Sequence, residues 1–171
     1  MPADRHLNDF ARFPVLWLAA SLAASATKPV TRQMLLRLMA QPGLKDAPAN
    51  WADAIRAALD QKDDALVRAA IAAARSLAQV KNNPPSFTEP LQKLARDTAR
   101  SDDLRLDALA ALPRGLPSVE PEQLTFLVAN LDPAKSVAAR GAAAGVLVKA
   151  KLAEDQLLTL ADALKAAGLS E

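Results

Sequence analysis

The chain has 171 residues, of which 51% are apolar and only 4% aromatic, and its net charge is +2. The apolar residues are largely Ala and Leu, which favour helices over strands. The absence of cysteine excludes disulfides, thiolate metal sites, a cysteine nucleophile and covalent haem attachment on this chain. The balanced charge, without any run of five like charges, argues against a nucleic-acid-binding tail.

The first apolar run, residues 15–26, follows two arginines and ends in Ala-Ser-Ala, as a secretory leader does. We interpret it instead as part of a helix over residues 14–25, because Asp4 and Asp9 cancel the positive charge that a leader carries before its apolar run. With 12 residues, the run is too short to cross a bilayer, so no membrane span is predicted.

Proline, glycine and capping residues divide the rest of the chain into helices. With the helix at 14–25, the chain is predicted to form about nine helices and no strand. The other eight are 30–41, 48–60, 64–80, 88–99, 102–112, 121–131, 132–150 and one from 154 onward. The residues predicted to face the core include Met34, Leu35, Leu38 and Met39; Trp51, Ile55, Ala58 and Leu59; Leu91, Leu94 and Ala95; Val137, Gly141, Ala144 and Val148; and Leu157, Leu160, Ala161 and Leu164.

The stretch 64–77, DALVRAAIAAARSL, has the clearest helical period. Its apolar stripe is Val67, Ala70, Ile71, Ala74 and Leu77, which lie on one face of a helix. Because two of its five residues are alanine, a neighbouring helix can approach closely. Asp63 stands where an N-cap belongs, so the helix is predicted to begin at residue 64.

Alternate helices look like copies of this one. They begin near residues 30, 64, 102 and 134, at steps of about 34, 38 and 32 residues, which suit a repeat of helical pairs. Aligning Val67-Arg68 with Leu104-Arg105 places Ile71 on Ala108. The fourth copy fits less well, because its arginine comes later than in the other copies.

The pattern predicts an all-α fold, specifically an α-α superhelix of the HEAT or armadillo type with about four to five helical hairpins. Such hairpins bury their apolar faces by stacking on their neighbours and leave a curved, exposed surface. Residues 1–171 are predicted to form a single domain of this kind.

The segments DDALVRAAIAAARSL and SDDLRLDALAAL resemble the second helix of HEAT repeats. Residues 136–168 also resemble a helical-repeat segment of large multidomain bacterial proteins, which combine a sugar-dehydrogenase-like β-propeller, HEAT-like repeats and a C-terminal c-type haem domain. The resemblance implies that this chain is a scaffold between the working domains of a parent oxidoreductase, in the periplasm or another extracytoplasmic compartment. The haem motif Cys-x-x-Cys-His is absent from this chain.

No catalytic, cofactor or metal site is predicted. His6 is the single histidine, which leaves no base for a nucleophilic triad within the helical repeats. The carboxylate pairs Asp63-Asp64, Asp102-Asp103 and Glu154-Asp155 all fall at predicted helix starts, where acids favour the positive end of the dipole. Close packing against a neighbouring helix is the favoured reason for Gly141 and Gly145.

Arg68, Arg105 and Arg140 are the candidate contacts of the concave face. They could form a ladder that binds an acidic partner or a phosphate backbone. The favoured interpretation is that each guanidinium pairs with an acid of the adjacent repeat, because the small net charge leaves no excess of cations for phosphates.

The favoured function is a non-catalytic scaffold for protein interaction or for linking domains, with a protein or a neighbouring domain of the same chain as partner. The alternative is a HEAT-like module that binds nucleic acid through an arginine-lined concave face. An enzyme acting through exposed carboxylates is the least favoured hypothesis. The proline loop at 82–85 fits either a wide inter-repeat turn or an exposed contact site.

Overall fold

The computed structural model describes residues 28–41, 49–81 and 86–166, and within these ranges the chain forms eight α-helices and no strand. The helices are α1 (Pro29–Met39), α2 (Ala49–Leu59), α3 (Asp64–Leu77), α4 (Thr88–Arg96), α5 (Asp102–Ala110), α6 (Pro121–Ala129), α7 (Val137–Lys149) and α8 (Glu154–Ala166). The all-α class is therefore confirmed for the described chain. The predicted helix at 14–25 and the loop at 82–85 lie outside the described residues.

The helices belong to two compact units, Met1–Pro90 and Leu91–Glu171, and the boundary falls inside α4. In the N-terminal unit, α3 packs against both α1 and α2. In the C-terminal unit, α7 packs against α5 and α6, and α6 also packs against α8. Each unit therefore contains contacts between a helix and the next but one along the chain.

Helix α3 begins as its sequence predicts. The Asp63 carboxylate accepts hydrogen bonds from the backbone N–H groups of Ala65 (2.9 Å) and Leu66 (3.3 Å), which makes it the N-cap. All five residues of the predicted stripe are buried. Leu66, Ala69 and Ala73 are buried as well, because α3 has a neighbour on two sides.

The N-caps give the alternate helices a common register. The caps of α1, α3, α5 and α7 are spaced by 35 to 38 residues and are Lys28, Asp63, Ser101 and Ser136. In α3, α5 and α7, the third, seventh, tenth and eleventh residues after the cap are all buried. They are Leu66, Ala70, Ala73 and Ala74 after Asp63; Leu104, Ala108, Ala111 and Leu112 after Ser101; and Ala139, Ala143, Val146 and Leu147 after Ser136.

This register differs by one residue from the alignment of Val67-Arg68 with Leu104-Arg105. Counted from the caps, Arg105 and Arg140 are both fourth residues, so the fourth copy fits the repeat better than its sequence suggests. Arg68 is a fifth residue, and the fourth residue of its helix is the buried Val67.

Hydrogen bonds join the N-terminal ends of alternate helices within each unit. They run from Gln33 Nε2 to the Ala65 carbonyl (3.4 Å), from Lys135 Nζ to Asp102 Oδ2 (3.4 Å) and from Gln156 Nε2 to the Val119 carbonyl (2.7 Å). The first links α1 to α3, the second links the turn before α7 to α5, and the third links α8 to the residue preceding the cap of α6. The first two turns of the helices of each pair therefore lie close together.

The inward residues predicted for α2 and α4 are all buried, but those predicted for α1 are only partly correct. Leu35 and Met39 of α1 are buried, whereas Met34 and Leu38 are exposed and Leu36 is buried in their place. Met34, Leu35 and Leu36 are consecutive apolar residues, so the sequence pattern does not decide whether Met34 or Leu36 belongs to the buried face of α1.

The prediction for α7 was wrong in both its start and its buried face. Asp132 does not begin the helix; its carboxylate accepts from the Ala134 N–H (2.7 Å) and closes a turn. Ser136 is the cap, because its hydroxyl accepts from the Ala139 N–H (3.1 Å). The four residues predicted to face inward are all exposed: Val137, Gly141, Ala144 and Val148.

Helix α8 is less buried than its sequence predicts. Leu157 and Ala161 are exposed, and Leu160 and Leu164 are half-buried. The contact of α8 with α6 is thus made without burying the full apolar face that the sequence offers.

A tight turn after α5 places the connector to α6 against the end of α7. Gly115 has a positive φ of 65° and donates its N–H to the Leu112 carbonyl (3.2 Å). The carbonyl of Leu116 accepts from the Lys151 N–H (3.0 Å). A Cβ at Gly115 would overlap the carbonyl oxygen of Lys149, so only glycine fits both the conformation and the space.

We expect Gly115→Ala to lower the free energy of unfolding by about 2 kcal/mol or more, because the left-handed backbone and the overlap with Lys149 both oppose a Cβ. Urea denaturation followed by far-ultraviolet circular dichroism measures the change. Gly141→Ala, measured in dilute protein that sediments as a monomer, is the matched control: outside its own helix, no described atom lies within 4 Å of a Cβ built there, so the helix should gain about 0.5–1 kcal/mol. Equal effects of the two substitutions would contradict the role assigned to Gly115.

Candidate functional site

The carboxylate pairs lie at helix starts in the structure. Asp63 caps α3, Asp102 and Asp103 occupy the first turn of α5, and Glu154 and Asp155 occupy the first turn of α8. Each acid thus stands near the N-terminal end of a helix dipole, which stabilises its negative charge. Within the described ranges, no three side chains of His, Cys, Asp or Glu are grouped closely enough to hold a metal ion. His6 lies outside those ranges.

Arg105 is the most enclosed of the three candidate arginines. Its guanidinium carbon lies 3.9 Å from the centroid of the Phe126 ring, and its Nε donates to the Ala95 carbonyl at 2.9 Å. Its Nη1 lies 3.6 Å from Asp102 Oδ1, and only 15% of the side chain is exposed. The guanidinium therefore connects the end of α4, the start of α5 and the ring of α6, which is a structural use of the charge.

Arg105 pairs with an acid of its own helix, not with one of a neighbouring repeat. Lys135, in the turn before α7, pairs with Asp102 of α5 at 3.4 Å, and Arg96 of α4 pairs with Glu120, the N-cap of α6, at 2.7 Å. The cations of these two pairs are residues that the sequence pattern did not single out.

Arg140 occupies the same cap position as Arg105 and is half-buried. Its Nε is inaccessible to solvent and has no hydrogen-bond partner among the described residues. Arg32 is the fourth residue after the cap of α1 and is also half-buried. The sequence comparison missed Arg32, although counting four residues from the Lys28-Pro29 helix start would have found it.

Arg68 lies on the solvent side of α3, one position beyond the place of the other arginines. The first, fifth, ninth and twelfth residues after a cap form what we call the outward stripe of a helix, and in α3 and α7 all four are exposed. In α3 they are Asp64, Arg68, Ala72 and Arg75, and in α7 they are Val137, Gly141, Gly145 and Val148. The same surface positions are therefore largely charged in α3 and wholly apolar in α7.

The two glycines of the α7 stripe have no packing role among the described residues. A Cβ built on Gly141 or Gly145 meets no atom within 4 Å. The prediction that they pack closely against a neighbouring helix is therefore wrong for the described part of the chain. Each costs the helix roughly 1 kcal/mol relative to alanine.

No helix in the described ranges combines the length and the apolar run that a bilayer crossing needs, as the sequence predicts.

Comparison with protein-family models, with curated protein sequences and with solved structures gives no match for this chain.

The structure brings Arg105 and Arg140 to equivalent positions on helices that pack together, whereas Arg68 belongs to the other unit. Of the three, Arg68 is exposed and Arg105 is held by three partners. A contact surface could therefore make little use of Arg105.

We expect Arg105→Lys to lower the free energy of unfolding by about 1 kcal/mol, because an ammonium cannot reproduce both the stacking on Phe126 and the hydrogen bond from Nε. Chemical denaturation measures the loss. Arg75→Lys is the control, and its effect should stay within about 0.5 kcal/mol because the side chain is exposed. A neutral Arg105→Lys substitution would show that the guanidinium contacts contribute nothing to stability.

Proposed function

We propose that this chain is a non-catalytic scaffold for protein interaction or for linking domains, built as a HEAT- or armadillo-like solenoid of helical hairpins. One observation carries the proposal: α3, α5 and α7 begin in the same cap register and bury the same positions, and alternate helices pack together within each unit.

This arrangement favours a binding surface over an active site. When each hairpin stacks on the next in one register, neighbouring repeats cover the inward positions, and the outward stripes of α3 and α7 are open to solvent. The residues that chemistry could use, such as Asp63, Ser101 and Ser136, are engaged as helix caps. The resemblance of two segments to HEAT repeats supports the same conclusion.

The partner is proposed to be a protein or a neighbouring domain of the same chain. The outward stripe of α3 mixes acidic Asp64 with basic Arg68 and Arg75, which suits a protein surface of mixed charge better than a phosphate backbone. The nucleic-acid alternative has less support, because Arg105 is held by Phe126, Ala95 and Asp102.

The resemblance of residues 136–168 to the repeat segment of large bacterial proteins gives the proposal its context. A scaffold of this kind would hold the dehydrogenase-like and haem domains of a parent oxidoreductase apart at a fixed spacing, in an extracytoplasmic compartment.

Chemical cross-linking in the native cells, followed by mass spectrometry, tests this function. We expect Arg68→Glu/Arg75→Glu to reduce the yield of partner peptides at least about tenfold, since several exposed charge contacts of the α3 stripe would be reversed. Lys93→Glu/Lys165→Glu is the control, because it makes the same charge change at exposed sites on α4 and α8.

Equal losses in the two variants would argue against a specific surface on α3. Salt-dependent binding of a labelled DNA duplex by the unaltered chain, lost in Arg68→Glu/Arg75→Glu, would replace the scaffold by the nucleic-acid alternative.

A further inference from the structure

The exposed large apolar side chains of the described C-terminal unit all lie on its last two helices. Val137 and Val148 of α7 are 77% and 85% exposed, and Leu157 and Leu158 of α8 are 53% and 64% exposed. The two helices follow each other along the chain, and exposed apolar side chains that together form a patch are typical of a contact surface.

The outward stripe of α7 has the composition of a helix-packing face. Valines stand at its two ends, and Gly141 and Gly145 lie between them with open space above. Glycine weakens a helix, and no described residue benefits from the missing side chains. A helix from outside the described chain would benefit, because small residues let two backbones approach closely.

The charges of the two helices identify the occupant. Helix α7 carries only cations, Arg140 and Lys149, so two copies of α7 facing each other would bring like charges together. Helix α8 carries three exposed acids, Glu154, Asp155 and Asp162, and one exposed cation, Lys165, so the flanks of its exposed leucines are acidic on balance. An apolar face with basic flanks and an apolar face with acidic flanks are complementary, and this chain has both.

We propose that the chain forms a two-fold symmetric dimer in which the outward stripe of α7 packs against the Leu157–Leu158 face of α8 in a second copy. In a two-fold interface each contact occurs twice, so α8 of the first copy also covers α7 of the second. Such a contact buries all four exposed apolar side chains of each copy. Both faces of both copies are then covered, so the assembly stops at a dimer.

Sedimentation equilibrium of the full chain over a range of concentrations tests the dimer. We expect the unaltered chain to fit a monomer–dimer equilibrium, and Val137→Gln/Val148→Gln to weaken dimerisation at least about tenfold, since four buried valines per dimer are lost. The matched control is Val30→Gln/Met34→Gln on α1, whose Val30 has the same 77% exposure and also lies in a first helical turn. This control should leave the equilibrium unchanged.

A second variant guards against a simple folding defect. Gly141→Gln/Gly145→Gln places side chains in space that is open in the monomer, so the circular dichroism spectrum should be retained while dimerisation is lost.

A chain that stays monomeric at every concentration, or a dimer that the α1 variant weakens as much as the α7 variants, would overturn the proposal. Growth beyond a dimer would also overturn it, because it would mean a head-to-tail contact that does not close. None of these results bears on the capture of a partner by the α3 stripe, so the scaffold proposal stands or falls by its own test.

Discussion

The N-caps are the constraint on which the rest of this structure depends. Once the first residue and the axis of a helix are fixed, the residues that face its neighbours are fixed too, because each residue is rotated by about 100° about the axis from the one before. Asp63, Ser101 and Ser136 fix that first residue by accepting backbone hydrogen bonds. The equivalent buried positions in α3, α5 and α7 follow from those starts, and so does the side on which each outward stripe lies.

Side-chain contacts between helices reinforce the rotational position that the caps give to each helix. Gln156 accepts from the backbone N–H of Ala153 at the start of α8 and also donates to the Val119 carbonyl beside the start of α6. Arg105 likewise joins three helices, through Ala95 of α4, Asp102 of α5 and Phe126 of α6. Arg105, which the sequence offers as a candidate contact residue, is thus engaged in holding helix ends together.

The helices themselves were predictable, since proline, Asp and Ser punctuate the chain and local rules decide where a helix begins. The buried face was predictable for α2, where Trp51 and Ile55 stand against polar neighbours, but not for α7. Helix α7 is apolar on nearly every side, so its period cannot separate the covered face from the exposed one. The contact of Arg105 with Phe126 joins two helices, and no pattern among neighbouring residues of the sequence predicts it.

The cross-helix hydrogen bonds also bear on how this chain reaches its folded state. Gln33 with Ala65, Lys135 with Asp102 and Gln156 with Val119 are separated by 32, 33 and 37 residues. Each closes a loop of similar, moderate length, so the entropic cost of forming one is nearly the same as that of forming the next. Within each unit, these contacts can therefore form before the distant ends of the polypeptide meet.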